Sequence, residues 1–209
     1  MKRCVRVYIE GGAKGHTEDS DFRRGWKRFL AELHDTARRH GYHSLEVVRG
    51  QGRSRTYRSF LNWREVHPDD LCVLLVDAET GVPDGAAVWD VVASRVGDGW
   101  PRPEWATERH LYLIVQFVET WLLTDPAALG HFFGTGFRSE GLPCTNLEQR
   151  SKAEIERALR EATKETGRGP YAHGMAHRII GDVDPECVKA LPHGARLFAT
   201  LARLITGLP

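Results

Sequence analysis

Hydrophobic and polar positions along the chain repeat with two different periods, and each change of period marks a new element. Cys4-Val5-Arg6-Val7-Tyr8-Ile9 alternates with period two and is rich in β-formers, which predicts a first strand. After Asp19, Ser20 and Asp21, which offer helix caps, Phe22, Trp26, Phe29, Leu30, Leu33 and Ala37 recur at helical spacing as far as Gly41. One helix is predicted there. Ser44-Leu45-Glu46-Val47-Val48 predicts a second strand, and Tyr57, Phe60 and Trp63 give a short following helix its apolar face. Leu71-Cys72-Val73-Leu74-Leu75-Val76 is an unbroken apolar run, the composition of a strand covered on both faces inside a parallel sheet. A short helix over residues 86–96 and a buried strand over 111–118 follow.

The last third changes character. Asp125-Pro126 opens one helix, the capping box Ser151-Lys152-Ala153-Glu154 opens another through about Thr166, and Asp184-Pro185 opens a third. Leu197, Phe198, Leu201, Leu204 and Ile205 predict a final helix over 195–205. Strands alternating with helices imply an α/β protein: a mostly parallel, Rossmann-like sheet of about four strands with helices around it. Residues 1–135 are the expected core, and 136–209 a helical extension packed on it as one unit.

Composition narrows the class. The chain has 209 residues, enough for one sizeable core, and no run of eighteen or more apolar residues that would span a membrane. Its start runs directly into a strand pattern with no signal-peptide stretch, so a cytoplasmic location is expected. Cys4, Cys72, Cys144 and Cys187 are widely separated, with no Cys-x-x-Cys, and are expected to be reduced thiols rather than a zinc site or disulfide frame. Charge is uneven: residues 1–64 carry 15 Lys and Arg against 7 Asp and Glu, and the remainder 14 against 21. An amino-terminal part this basic suits a phosphate backbone, although arginines also simply solvate helix faces.

The candidate chemistry lies where strands end. The apolar run over 71–76 leads into Asp77-Ala78-Glu79, two carboxylates spaced i, i+2 at a strand tip, where open α/β sheets bind ligands. Such a pair repels itself unless a cation or proton lies between them, and oxygen ligands suit magnesium or manganese. Taken alone, it also reads as a solvated acidic turn. Glu10 follows the first strand and precedes Gly11-Gly12, a pair that either turns the chain or lets backbone approach a phosphate. Glu119 ends the fourth strand pattern. Acids at three strand ends strengthen the case for a metal. Arg49, Arg53 and Arg55 decorate a glycine-rich loop, and Arg24 lies on the first helix; guanidinium forks suit phosphate. Lys152 would reach a phosphate or be solvated. His173 and His177 sit four apart but lack a third convergent zinc ligand.

The ordered blocks Ile9-Glu10-Gly11-Gly12, Arg24-Gly25, Leu75-Val76-Asp77-Ala78-Glu79, Val118-Glu119-Thr120-Trp121 through Asp125, Leu142-Pro143, Lys152 and Tyr171 resemble the domain-of-unknown-function 4276 family. More distantly the pattern resembles the Toprim fold of topoisomerases, primases and overcoming-lysogenization-defect nucleases. The resemblance implies a Toprim-like core, divalent-metal acids and association with an ABC-type ATPase in bacterial phage defence. Carried over, Glu10, Asp77 and Glu79 would hold Mg²⁺ or Mn²⁺, and Glu119 and Asp125 would supply an outer carboxylate or orient a water. Ala13 replaces the family's usual third glycine, and His173 stands where a lysine before glycine is more typical.

Carboxylates around Mg²⁺ suit phosphoryl transfer, with Glu10 a candidate general base. The first expectation is therefore a metal-dependent nuclease cleaving DNA or RNA. Against it stand a noncatalytic or nucleotide-sensing partner subunit of an ABC-type ATPase and, more weakly, a hydrolase of small nucleotides. No serine, cysteine or tyrosine, Tyr8 and Tyr57 included, has a clear nucleophile context. No membrane partner is expected; a homo-oligomer is open.

Overall fold

The computed structural model describes residues 3–11 and 16–208, with the side chains of 16–18 left out. Strands β1 (Val5–Ile9), β2 (Leu45–Arg49), β3 (Leu71–Asp77) and β4 (Leu111–Ile114) form one all-parallel sheet in the order β2-β1-β3-β4. Val5 pairs with Leu45 on one side and Leu71 on the other, so β1 and β3 are the central strands and their carboxyl ends lie side by side. The unbroken apolar run of β3 is explained by this position: covered on both faces, it has no solvent side to be polar on.

Alternation along the strands divides the interior into two cores. Val5, Val7, Ile9, Val73, Leu75, Tyr112 and Ile114 face one way, into a core shared with α1 (His16–Phe29), α2 (Ala31–Arg39) and α5 (Val118–Leu122). That core continues through α6 (Pro126–Phe133), α7 (Lys152–Thr163), α8 (Ala176–Ile179), α9 (Pro185–Lys189) and α10 (Pro192–Thr206). Tyr8, Cys72, Leu74, Val76, Leu111 and Leu113 face the other way, onto α3 (Arg53–Val66) and α4 (Val88–Ser94).

The core runs across residue 135 without a break. Phe198 of α10 meets Phe29 of α1 edge to face at 5.5 Å, and Arg196 donates to the carbonyl of Leu111 at 2.9 Å, tying α10 to the start of β4. Buried Leu197, Leu201 and Ile205 belong to the same apolar body as the strands.

Three local readings need correction. The single helix expected before Gly41 is two, α1 and α2, jointed at buried Leu30, where no glycine or proline announces the joint. The fourth strand stops at Ile114, short of Val118: the Gln116 amide donates to the Thr120 hydroxyl at 3.2 Å, and the chain turns into α5. Glu119 is thus a helix residue. Arg53, expected on a flexible loop, opens α3. The four cysteines are unbonded, and burial pushes the Cys72 thiol up to about 12. Among the described residues no helix is long and apolar enough to cross a membrane.

Candidate active site at the carboxyl rim of the sheet

Each acid is delivered to the rim by a different element. The Glu10 amide donates to the Leu75 carbonyl at 3.3 Å, which carries the β1–β3 ladder one residue past β1 and holds Glu10 beside the end of β3. Asp77 closes β3, paired with Ile114. Ala78 and Glu79 then donate to Ile114 and Gln116 at 2.8 and 2.7 Å. Glu79 has φ +70°, a left-handed conformation that costs a non-glycine residue about 1–2 kcal/mol, so the turn that aims it is imposed by its surroundings. Glu119 is 0% exposed in the first turn of α5. Lys152 is placed at the start of α7 by the capping box, in which Ser151 and Glu154 bond reciprocally at 2.9 and 3.3 Å.

Arg53 cross-links the rim. Its Nη1 donates to Glu10 Oε2 at 2.7 Å and to the Asp77 carbonyl at 2.6 Å, while Nε and Nη2 grip the Asp98 carboxylate, with Nε to Oδ1 at 2.8 Å. The Asp98 side chain is only 3% exposed and also pairs with Arg95 at 3.3 Å. Arg95 in turn reaches Glu79 at 4.0 Å, and Lys152 bonds Glu79 directly. On the far side Glu119 Oε1 accepts from the Tyr171 hydroxyl at 2.7 Å and meets His173 Nδ1 at 2.5 Å; its Oε2 is buried with no hydrogen-bond partner among the described residues.

Asp77 is the electrostatic centre. Burial, then the carboxylates of Glu10 and Glu119, push its proton affinity well above the ordinary carboxylate range; Glu79 adds to this and Lys152 opposes it. Burial also raises Glu10, against the pull of Arg53. The hydrogen bond to Glu119 raises His173. Tyr171 is raised too, first by burial and then by Glu119.

The sequence-predicted residues separate into two groups. Glu10, Glu79, Glu119 and Lys152 all lie near enough to Asp77 to act on its charge. Asp125 does not join them: its Oδ1 caps α6 through the Ala128 amide and its Oδ2 accepts from the Asp184 amide, both at 3.0 Å. Arg53 is engaged with three partners of the protein itself, and Lys152 with Glu79, so neither presents the free cation expected for a phosphate. Arg24 pairs with Asp21 on α1. Arg49 lies over the Phe22 ring at 5.4 Å and packs on Gly11, where a Cβ would come within 2.9 Å of Arg49 Cγ and 2.8 Å of Phe22. Gly11 is therefore required by close packing; Gly12 lies outside the described residues, as does Ala13. His173 and His177 part company: His177 Nδ1 accepts from the Trp26 indole at 3.2 Å, and burial pushes it down to about 4.

Arg95 and Asp98 escaped the sequence reading because Arg95 fell at the end of the helix expected over 86–96, which stops at Ser94, and Asp98 in the irregular segment after it. No signal in the sequence marked the pairing, since Arg53 itself read as a loop cation and Asp98 lies forty-five positions further on.

The donor set fits a hard divalent cation in chemistry: carboxylate oxygens, one of them buried and without a hydrogen-bond partner among the described residues. As placed, the acids are engaged by Arg53, Lys152, Tyr171 and His173, and among the described residues no three acid, histidine or cysteine side chains gather closely enough to hold one ion.

A family model described as a domain of unknown function, DUF4276, matches residues 15–202. The chain belongs to the DUF4276 family. No curated protein and no solved structure matches it. The match takes in Asp77, Glu79, Glu119 and Lys152, while Glu10 lies just ahead of it.

Proposed function

We propose that this DUF4276 protein is a metal-dependent phosphodiester hydrolase of Toprim-like kind acting on nucleic acid. The observation that carries the reading is the placement of buried Asp77 at the carboxyl rim of a parallel sheet with Glu10, Glu119 and Glu79 near it, so that burial first and these carboxylates next raise its proton affinity. Carboxylates forced together in this way favour a proton or a cation between them. Asp77 and Glu79, with Glu10, would hold Mg²⁺ or Mn²⁺, which when bound neutralises charge on the phosphoryl group and activates water. Glu10, raised by burial, takes up a proton more readily than an ordinary carboxylate and suits the role of general base at its Oε1, the oxygen Arg53 leaves free. Glu119 fixes the ring of His173 beside the acids, and their hydrogen bond raises the proton affinity of the imidazole. Arg53, gripped by Asp98, ties Glu10 to the end of β3.

The test is nicking of supercoiled plasmid, and cleavage of RNA, by pure protein with Mg²⁺ or Mn²⁺. Wild type is expected to cleave and Asp77→Asn to lose cleavage while keeping its unfolding midpoint; cleavage by the pure variant contradicts the reading.

A second reading is favoured by one observation: Glu10, Glu79 and Glu119 already have partners within the fold. A noncatalytic subunit docking on an ABC-type ATPase in phage defence needs no more than that. Absence of cleavage by wild type together with a stable complex with an ATPase encoded beside it would select this alternative.

A further inference from the structure

Away from the acids, where α1 packs on α8, a cleft of about 240 Å³ is lined by Arg24, Arg28, Arg168 and Arg178 above the ring of Phe132. Two carboxylates share it. Asp21 takes Arg24 and, at 3.3 Å, Nε of Arg178; Asp182 takes Arg28 at 2.7 Å. Arg168 has neither an ion pair nor a hydrogen bond among the described residues; its guanidinium rests 4.6 Å from the Phe132 centroid, and that of Arg178 lies 5.6 Å from the same ring. Four guanidiniums thus converge on a concave site with two acids to balance them. Exposed arginines scattered over a surface need no explanation. Two guanidiniums over one aromatic ring, beside two more in the same cleft, gather the planar forks that suit an oxyanion.

The cleft is coupled to the acid rim by one short stretch of chain. His173, which bonds Glu119, and Arg178, which lines the cleft, stand at the two ends of residues 173–178, a 3₁₀ turn continuing into α8. At helical rise this stretch covers roughly 10 Å, a few phosphate spacings along a strand.

We infer that the cleft is a second phosphate-binding site that holds the backbone of a polynucleotide next to the acid cluster. The inference rests on the phosphodiester reading above for its substrate class and deepens it: the substrate is a strand that reaches both sites, not a free nucleotide that fills one.

Binding is measured without catalysis, by fluorescence anisotropy of a labelled single-stranded oligonucleotide in EDTA over a range of salt concentrations. Wild type is expected to bind. The double variant Arg168→Gln/Arg178→Gln is expected to bind more weakly, with the slope of log K against log salt reduced by about 1.4, two contacts at about 0.7 each. Arg160→Gln, an exposed arginine on α7 paired with Glu156, is the control and should match wild type. A mononucleotide should fail to displace the oligonucleotide. No binding by wild type, an unchanged slope in the double variant, or displacement by the mononucleotide as strong as by the oligonucleotide each overturns the inference. Failure here with plasmid nicking intact removes the cleft alone; binding here with no nicking removes the hydrolase reading and leaves the cleft.

Discussion

His177 lies between the rings of Phe22, 4.6 Å away, and Trp26, whose indole donates to it at 3.2 Å. Because burial lowers it from 6.5 to about 4, the unfolded chain binds a proton on this residue before the folded one does. Its contribution to stability is therefore intact above pH 6.5 and is lost as pH falls towards 4, on the order of 3 kcal/mol in all. Glu10 and Asp77, both raised, act in the opposite sense across the acid range. His177→Gln keeps an acceptor for Trp26 and removes the titration. Urea unfolding at a series of pH values should show the variant gaining on wild type between pH 6.5 and 4; a constant difference would mean His177 is not held neutral. The acids of the rim were legible at this scale because an alternating run ends on Glu10 and an unbroken apolar run on Asp77, and geometry then carries Glu79 along. The engagement of Arg53 was not legible. A basic residue after two glycines reads as a loop cation, and only its contact with Asp98, forty-five positions away, reveals a buried cross-link.

At the scale of elements, α8 is what joins the two proposed sites, and its seat is a glycine contact. A Cβ on Gly25 of α1 would come within 2.1 Å of the His177 carbonyl, and one on Gly181 within 2.7 Å of Gly25 Cα. Alanine normally favours a helix over glycine by about 1 kcal/mol; against a backbone oxygen that close, overpacking reverses the sign. Gly25→Ala should destabilise by about 1–3 kcal/mol in a denaturant midpoint and displace residues 173–178 from Glu119. Gly81→Ala, which has open space and no positive φ, should stay within about 0.5 kcal/mol. Equal midpoints for the two variants would contradict the tight α1–α8 packing. Most elements were readable from period and caps: the four strands, the Ser151 box, and Pro126 and Pro185 at helix starts. The joint at Leu30 and the early end of β4 were not: neither carries a turn residue, and β4 is ended by the Gln116–Thr120 hydrogen bond, which leaves no mark in the apolar pattern. Glu119 was accordingly found in the right neighbourhood but placed at a strand's carboxyl end rather than in α5.

For the whole molecule, the continuity of the core decides how the chain divides. Leu197, Phe198, Leu201 and Ile205 of α10 are buried with the strand residues Val73, Leu75 and Tyr112. A fragment ending at residue 135 would expose that shared surface, and it should show no cooperative thermal transition while the full chain unfolds in one step; a fragment that melts cooperatively would establish an independent core. The charge asymmetry also resolves at this scale. Part of the basic excess of residues 1–64 is neutralised by acids from the later chain, Arg53 by Asp98 and Arg28 by Asp182, while the later Lys189 answers Glu32 at 2.7 Å. The cleft around Phe132 is where the arginines outnumber the carboxylates. The function proposed for the rim stands on a shared divalent ion, and anomalous diffraction from crystals soaked in Mn²⁺ measures that directly. The expected result is a manganese peak bounded by the carboxylates of Asp77 and Glu79 that disappears in Asp77→Asn; a rim without manganese, or a peak that the substitution leaves unchanged, would contradict it.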